Sequence, residues 1–93
     1  MKFCIEVGEI KKHRIEYDFN QLLGRLIIRL DRKEVMRNIR LFNEPIRETH
    51  RVQVAETELV LVAVRIEKER RQFFGQKCRV FLNERLYKFF QGA

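Results

Sequence analysis

The chain contains the same strand–turn–strand pattern twice, and this repetition limits the folds that it can adopt. Residues 25–36 read RLIIRLDRKEVM, and residues 79–90 read RVFLNERLYKFF. In each segment an apolar run meets a polar pair, Asp31-Arg32 or Asn83-Glu84, and a second patterned run follows. Asp and Asn favour such turns because their side chains bond the local backbone and tolerate positive φ. Two hairpins in 93 residues with only one proline predict a compact antiparallel β domain.

Other segments show the alternation of strands. Ile15, Tyr17 and Phe19 recur at every second position, with polar residues between them, as in a strand that has one wet face. We therefore predict one all-β domain over residues 1–93, an antiparallel β sandwich or flattened barrel of about eight strands. The strands are predicted at residues 3–7, 13–19, 25–30, 33–42, 49–54, 58–68, 76–82 and 85–90. The expected core is Ile15, Tyr17, Leu26, Ile28, Leu30, Val52, Val54, Leu61, Val80, Leu82 and Leu86.

Two segments leave a local alternative open. Residues 21–30 also fit helical spacing, although Gly24 and the β-branched pair Ile27-Ile28 weaken that interpretation. The alternation slips over residues 37–40, which indicates a bulge, an edge strand or a short helix.

Composition favours a folded protein outside the membrane. Hydrophobic residues make up 45% of the chain, including eight Phe and two Tyr, which argues against disorder. No apolar stretch approaches the roughly 20 residues of a membrane helix, and the first residues lack the apolar centre of a signal peptide. We expect a cytoplasmic protein that does not bind membranes.

The residue types give no catalytic or metal-binding motif. The chain has no serine, its histidines are His13 and His50, and most carboxylates have basic neighbours at strand spacing, as in cross-strand ion pairs. Cys4 and Cys78 are expected to be buried thiols, and a disulfide requires that their strands be neighbours. We predict no enzyme activity, catalytic residue, cofactor, metal or small-molecule substrate. An enzyme would require the fold to gather a histidine, a cysteine and a carboxylate in one pocket.

The charge of the chain points to its partners. The formal net charge is +7, which favours anionic partners such as nucleic acid, although a charge-dense solvated surface is the alternative. On a sheet, nucleic acid needs exposed aromatic rings beside basic residues. We expect the rings of Tyr17, Phe19, Phe81 and either Phe89 or Phe90 to point inward, as core residues rather than stacking platforms for bases. The candidate nucleic-acid contacts are Arg25, Arg29, Arg37, Arg40, Arg70 and Arg71.

The spacing of Arg47 and Arg51 gives one further alternative. This R-x-x-x-R just before a strand is similar to the arginine motif of PilZ domains, which bind cyclic di-GMP. Those domains add a downstream D/N-x-S-x-x-G motif, which a chain without serine cannot supply, so we do not predict a PilZ domain.

The order of the motifs resembles one repeat of the Fas apoptosis inhibitory molecule family. That family shows an H-[KR]-I-E-[FY] strand, then G-[KR] and a V-D-G-K-E hairpin, and a closing E-I-N-G-K-like hairpin. Here the matching positions are residues 13–17, Gly24-Arg25, residues 30–37 and the final hairpin around Asn83. Arg32 and Glu84 stand where the family tends to have glycine, and its tryptophan-containing stretch is missing.

The resemblance implies an antiparallel β sandwich without catalytic residues, in a family linked to protein–protein interaction, control of cell death and protection against aggregation. We therefore expect a non-enzymatic protein-interaction module that binds another protein or itself. A nucleic-acid-binding domain with an arginine-rich face is the alternative.

Overall fold

The computed structural model of the protein describes residues 1–8, 10–39, 46–55, 61–70 and 75–92. Within these ranges the chain forms eight antiparallel strands and no helix, which confirms the predicted fold class. The strands are β1 (Lys2–Val7), β2 (His13–Asn20), β3 (Arg25–Leu30), β4 (Lys33–Ile39), β5 (Arg47–Ala55), β6 (Leu61–Arg70), β7 (Gln76–Leu82) and β8 (Arg85–Gly92). They make two four-stranded sheets with the orders β1-β2-β3-β4 and β5-β6-β7-β8.

The two sheets enclose one hydrophobic core. Alternate side chains of the strands point inward, so every second position of β1, β2 and β6 is buried. The Phe3 ring of the first sheet stacks on the Phe90 ring of the second at 4.0 Å. The core residues are Phe3, Ile5, Val7, Ile15, Tyr17, Phe19, Leu26, Ile28, Val52, Val54, Val62, Val64, Ile66, Cys78 and Val80.

Both sheets contain a hairpin with the same type of turn. The central turn residues have positive φ, 49° and 70° at Asp31-Arg32 and 49° and 68° at Asn83-Glu84, as in type I′ turns. The Asp31 carboxylate accepts a hydrogen bond from the Arg14 backbone N–H at 2.9 Å, and the Asn83 side-chain oxygen accepts one from Ala63 N–H at 3.0 Å. The backbone N–H groups of the two turn residues donate to the carbonyls of the same partners. Each turn is therefore attached to the strand that lies beside its hairpin.

A β-bulge follows each turn and sets which side chains face outward. In the second sheet the pairing shifts between Val80 and Phe81, so that Lys88 lies opposite Val80 and Phe89 opposite Arg79. Tyr87 is the additional residue of this bulge. As a result Phe90 points into the core while Phe89 points outward. The first sheet has the equivalent shift between Ile28 and Arg29.

Most of the expected core is confirmed, and two positions are wrong. Leu61 and Leu86 are 50% and 60% exposed. Leu61 begins β6, and Leu86 pairs with the outward position Phe81 after the turn. Leu30 and Leu82 are partly buried against the core.

The helical alternatives are also wrong for the described residues. Gly24 has a φ of 63° in the turn between β2 and β3, and the chain is extended from Arg25 onward. The segment at residues 37–40 belongs to edge strand β4 as far as Ile39, and Arg40 lies outside the described residues.

The attachment of the second hairpin turn is expected to stabilise the fold. Asn83→Ala removes an acceptor from the Ala63 N–H and places a Cβ-bearing residue without a polar side chain at positive φ, so we expect a loss of about 1–2 kcal/mol. For a domain of this size that is a fall in Tm of about 4–8 °C or more in thermal unfolding. Asn83→Asp is the matched control, because the first turn uses Asp31 in this way. Equal stability of Asn83→Ala and the parent protein would contradict this account.

Candidate nucleic-acid interface

The sequence-predicted arginines do not form one group. Arg25 and Arg29 lie on the outer face of β3, and Arg37 lies on the outer face of β4 beside them. Arg70 ends β6 in the other sheet. Arg40 and Arg71 lie outside the described residues.

The outer face of the first sheet is a network of ion pairs. Arg14 and Arg29 approach the two oxygens of Glu16 at 3.2 and 3.9 Å. Arg37 forms a two-bond pair with Glu34 at 2.6 and 3.0 Å, and this hydrogen bonding holds the pKa of Glu34 below and raises the pKa of Arg37 above their ordinary values. Carboxylates thus pair with Arg14, Arg29 and Arg37 on this face, whereas Arg25 has no ion pair among the described residues.

The outer face of the second sheet has a different composition. Arg51 of β5 lies opposite Arg65 of β6, which lies opposite Phe81 of β7. Arg79 of β7 lies opposite Phe89 of β8. We call this surface the arginine–aromatic face; its residues are Arg51, Arg65, Arg79, Phe81, Leu86 and Phe89. The expectation that Phe81 points inward is therefore wrong, and of the alternatives Phe89 and Phe90 it is Phe90 that points inward.

Arg65 is fixed in the centre of this face. Its guanidinium lies 4.2 Å from the centroid of the Phe81 ring, and its Nη1 donates to Glu84 at 2.7 Å. Arg51 stands directly opposite it on the neighbouring strand. Like charges in that position destabilise a sheet. The ion pairs of Arg65 with Glu84 and Glu67 offset part of this repulsion.

Two arginines and two apolar side chains remain available to a ligand. Arg51 and Arg79 are exposed, and neither forms an ion pair with any residue in the described part of the chain. Phe89 is 48% exposed and Leu86 is 60% exposed. Ring faces beside unpaired guanidinium groups can stack bases and contact phosphates.

The internal repeat allows the outer faces of the two sheets to be compared at equivalent backbone positions. Arg29 and Phe81 both stand two residues before a turn residue that bonds the neighbouring strand. Their cross-strand partners are Glu16 and Arg65, respectively. The same backbone position thus carries an ion pair in one sheet and a stacked arginine and ring in the other. The fold itself does not require the second arrangement.

A cavity of about 340 Å³ adjoins the arginine–aromatic face. Arg79 belongs to both, and five of the seven lining positions carry outward side chains in the sheet register. The cavity combines arginines, carboxylates and a threonine hydroxyl. It is lined by Arg47, Glu48, Thr49, Glu67, Lys68, Glu69 and Arg79.

The inner face of the second sheet holds a buried polar group. Glu48 lies 3.7 Å from both His50 Nε2 and the fully buried Lys68 ammonium, which in turn sits 4.0 Å over the Phe19 ring. Cys78 pairs in register with Lys68. The fold thus brings a histidine, a carboxylate and a cysteine to one face, but burial raises the pKa of the Cys78 thiol to about 11.

A thiol with so high a pKa is protonated near neutral pH, and a protonated thiol is a poor nucleophile. No set of three potential metal ligands occurs among the described residues. The absence of enzyme activity stays a prediction.

The two cysteines have different environments. Cys78 is buried as expected, whereas the expectation of a buried Cys4 is wrong, since its side chain is exposed on the outer face of β1. Both are free thiols.

No protein-family model, curated protein or solved structure matches this chain. Among the residues that the structure describes, no helix has the length and apolar character needed to cross a membrane.

Sequence reasoning missed Arg65, Arg79, Phe81 and Phe89 as site residues. Two signals could have found part of the site. Cys78, Val80 and Leu82 predict an inward series, which leaves Arg79 and Phe81 outward. The R-x-x-x-R spacing already puts Arg47 and Arg51 on one side of a strand, as the structure has them.

The thiols are expected to differ sharply in reactivity. In the folded protein at about pH 8, Ellman's reagent should modify Cys4 rapidly and Cys78 only slowly, because Cys78 is buried and about one thousandth of it is ionised. Cys4→Ser should remove the rapid phase, and unfolding in denaturant should restore a reactive Cys78. Rapid modification of the folded Cys4→Ser protein would contradict the buried position of Cys78.

Proposed function

We propose that the protein is a non-enzymatic module that binds single-stranded nucleic acid through the arginine–aromatic face. The observation that carries this proposal is the exposed Phe89 ring opposite Arg79 on a face that also carries Arg51, where neither arginine has an ion pair among the described residues. The expectation of inward rings argued against base stacking, but Phe81 lies on the outer face, together with Phe89. The overall charge of +7 supports association with a polyanion.

The shape of the face favours a single strand over a duplex. In a single strand the base faces are free to stack on rings, and stacking is worth about 1–3 kcal/mol per base. In a duplex the bases are stacked on each other, and sequence is read by an element that enters a groove. The arginine–aromatic face is the surface of a sheet. Its rings present their flat sides to bases, whereas reading a duplex needs an element that enters a groove.

The proposal predicts that binding weakens as salt rises and that it requires the arginines of the arginine–aromatic face. With about three phosphate contacts, raising salt from about 50 to about 200 mM should weaken binding of a mixed-sequence single-stranded oligonucleotide about 20-fold in fluorescence anisotropy. Arg51→Gln combined with Arg79→Gln should reduce the slope of log affinity against log salt by about 1.4. Arg25→Gln combined with Arg37→Gln is the matched control, because it removes the same charge from the outer face of the first sheet.

The control also tests the arginines predicted from the sequence. If the Arg25 and Arg37 substitutions weaken binding and the Arg51 and Arg79 substitutions do not, the ligand binds to the first sheet. The assignment of binding to the arginine–aromatic face is then wrong. If the parent protein does not bind at the lower salt concentration, the nucleic-acid proposal fails as a whole.

A protein-interaction module of the Fas apoptosis inhibitory molecule type is the second candidate. It is supported by edge strand β8, where the apolar side chains of Leu86, Tyr87 and Phe89 are 60%, 42% and 48% exposed. Exposed apolar residues on an edge strand are a site for pairing with another chain. Such binding responds weakly to salt.

Self-association through β8 has a direct test. Sedimentation velocity over rising protein concentration should show a dimer, and Leu86→Lys should return it to a monomer. Val35→Lys is the control, because Val35 is also exposed but lies on the other edge strand, β4. A protein that stays monomeric at all concentrations would exclude self-association. The partner of this second candidate would then be a different protein.

We also propose that the protein works in the cytoplasm. Two free cysteines in a small domain support a reducing compartment, because secreted domains of this size commonly carry disulfides.

A further inference from the structure

The carboxylates Glu67 and Glu69 are out of place on a surface that binds phosphates. Both point outward from β6, the interior strand of the second sheet that carries Arg65. A carboxylate repels a phosphate, so a face that served only the backbone of a nucleic acid would gain affinity without them.

Each of these carboxylates has an ion pair, but its hydrogen-bonding capacity is unused among the described residues. The Arg65–Glu67 and Arg47–Glu69 distances are 3.8 and 3.9 Å, whereas the short bond of Arg65 goes to Glu84. Within the described residues, neither Glu67 nor Glu69 forms a hydrogen bond through its side chain. Their side chains are 38% and 33% exposed. Both can therefore accept hydrogen bonds from a ligand.

The two carboxylates lie in the 340 Å³ cavity, together with Thr49, Arg47 and Arg79. A cavity of this volume lies within the usual range of small-molecule sites, roughly 300–1,000 Å³. The register continues from the cavity to the exposed ring: Glu67 lies opposite Arg79, and Arg79 lies opposite Phe89. Strands are spaced about 4.8 Å apart, so the Glu67 and Phe89 backbones are about 10 Å apart across the sheet.

A nucleotide placed on this row would contact all three residues. A base stacked on Phe89 would direct one edge toward Glu67, while Arg79 between them would meet a phosphate or the base face. A carboxylate accepts hydrogen bonds from the amino group of a base, as Glu and Asp do with cytosine N4. Uracil presents a carbonyl oxygen at that position, which a carboxylate repels.

We propose that the cavity is a base-recognition site in which Glu67 selects bases that carry an exocyclic amino group. This inference rests on the proposed binding of single-stranded nucleic acid. It assigns Glu67 to base choice, whereas Arg51 and Arg79 supply affinity for any sequence.

The test compares oligo-dC with oligo-dU of equal length, about 10 nucleotides, by fluorescence anisotropy at constant salt and neutral pH. These bases differ at the amino group that the proposal invokes. The parent protein should bind oligo-dC about fivefold or more tightly than oligo-dU. Glu67→Gln should remove this preference and strengthen oligo-dU binding, because one repulsive charge is lost. Asp18→Asn is the matched control, because Asp18 has the equivalent place on the outer face of the first sheet.

The outcomes separate the two proposals. Loss of the dC preference in Glu67→Gln, with its retention in Asp18→Asn, supports the assignment. Binding of both oligonucleotides with equal affinity overturns the base-recognition site and leaves the proposed function standing. Binding of neither oligonucleotide overturns both, and a preference that survives Glu67→Gln overturns the assignment to Glu67.

Discussion

The register of the two hairpins is the constraint on which the rest of the structure depends. Each turn is fixed by positive φ at its two central residues and by an Asp or Asn side chain that accepts a hydrogen bond from the neighbouring strand. The bulge that follows then decides the orientation of the last strand. A slip of one residue would move every side chain of β8 to the opposite face and exchange Phe89 with Phe90. The stack of Phe90 on Phe3 and the exposure of Phe89 are consequences of the same register.

Because the two sheets repeat one backbone arrangement, their outer faces can be compared position by position. The first sheet surrounds Arg29 and Arg37 with Glu16 and Glu34, which keeps the surface charged and solvated. The second sheet places Arg65 on a ring and leaves Arg51 and Arg79 without a carboxylate partner among the described residues. The ion pairs of the first sheet are explained by the needs of a stable, solvated surface. The fold does not require the arginines and rings of the second sheet. The binding proposals above depend on this asymmetry.

Strand alternation and turn chemistry are local, and they are sufficient to predict eight strands and both hairpin turns. They also predict buried positions such as Ile15, Tyr17 and Val80. They fail at Leu86, because the bulge at Tyr87 puts Leu86 and Phe90 on opposite faces and an isolated sequence does not show which residue is additional. The outward position of Phe81 follows from the alternation of β7 itself, which buries Cys78 and Val80. The prediction of the binding site from the sequence fails for a related reason. Arg25, Arg29 and Arg37 do lie together, but Arg29 pairs with Glu16 on the neighbouring strand, which only the register reveals.

The most direct test of the central claim is an NMR titration of isotope-labelled protein with a single-stranded oligonucleotide. Chemical-shift changes report where the ligand lies, independently of any substitution. The account predicts changes at the outward residues of the second sheet, namely Arg51, Arg65, Arg79, Phe81 and Phe89, with little change at Arg25, Arg29 and Arg37. Changes concentrated on the first sheet, or a spectrum that does not respond to the oligonucleotide, would contradict it.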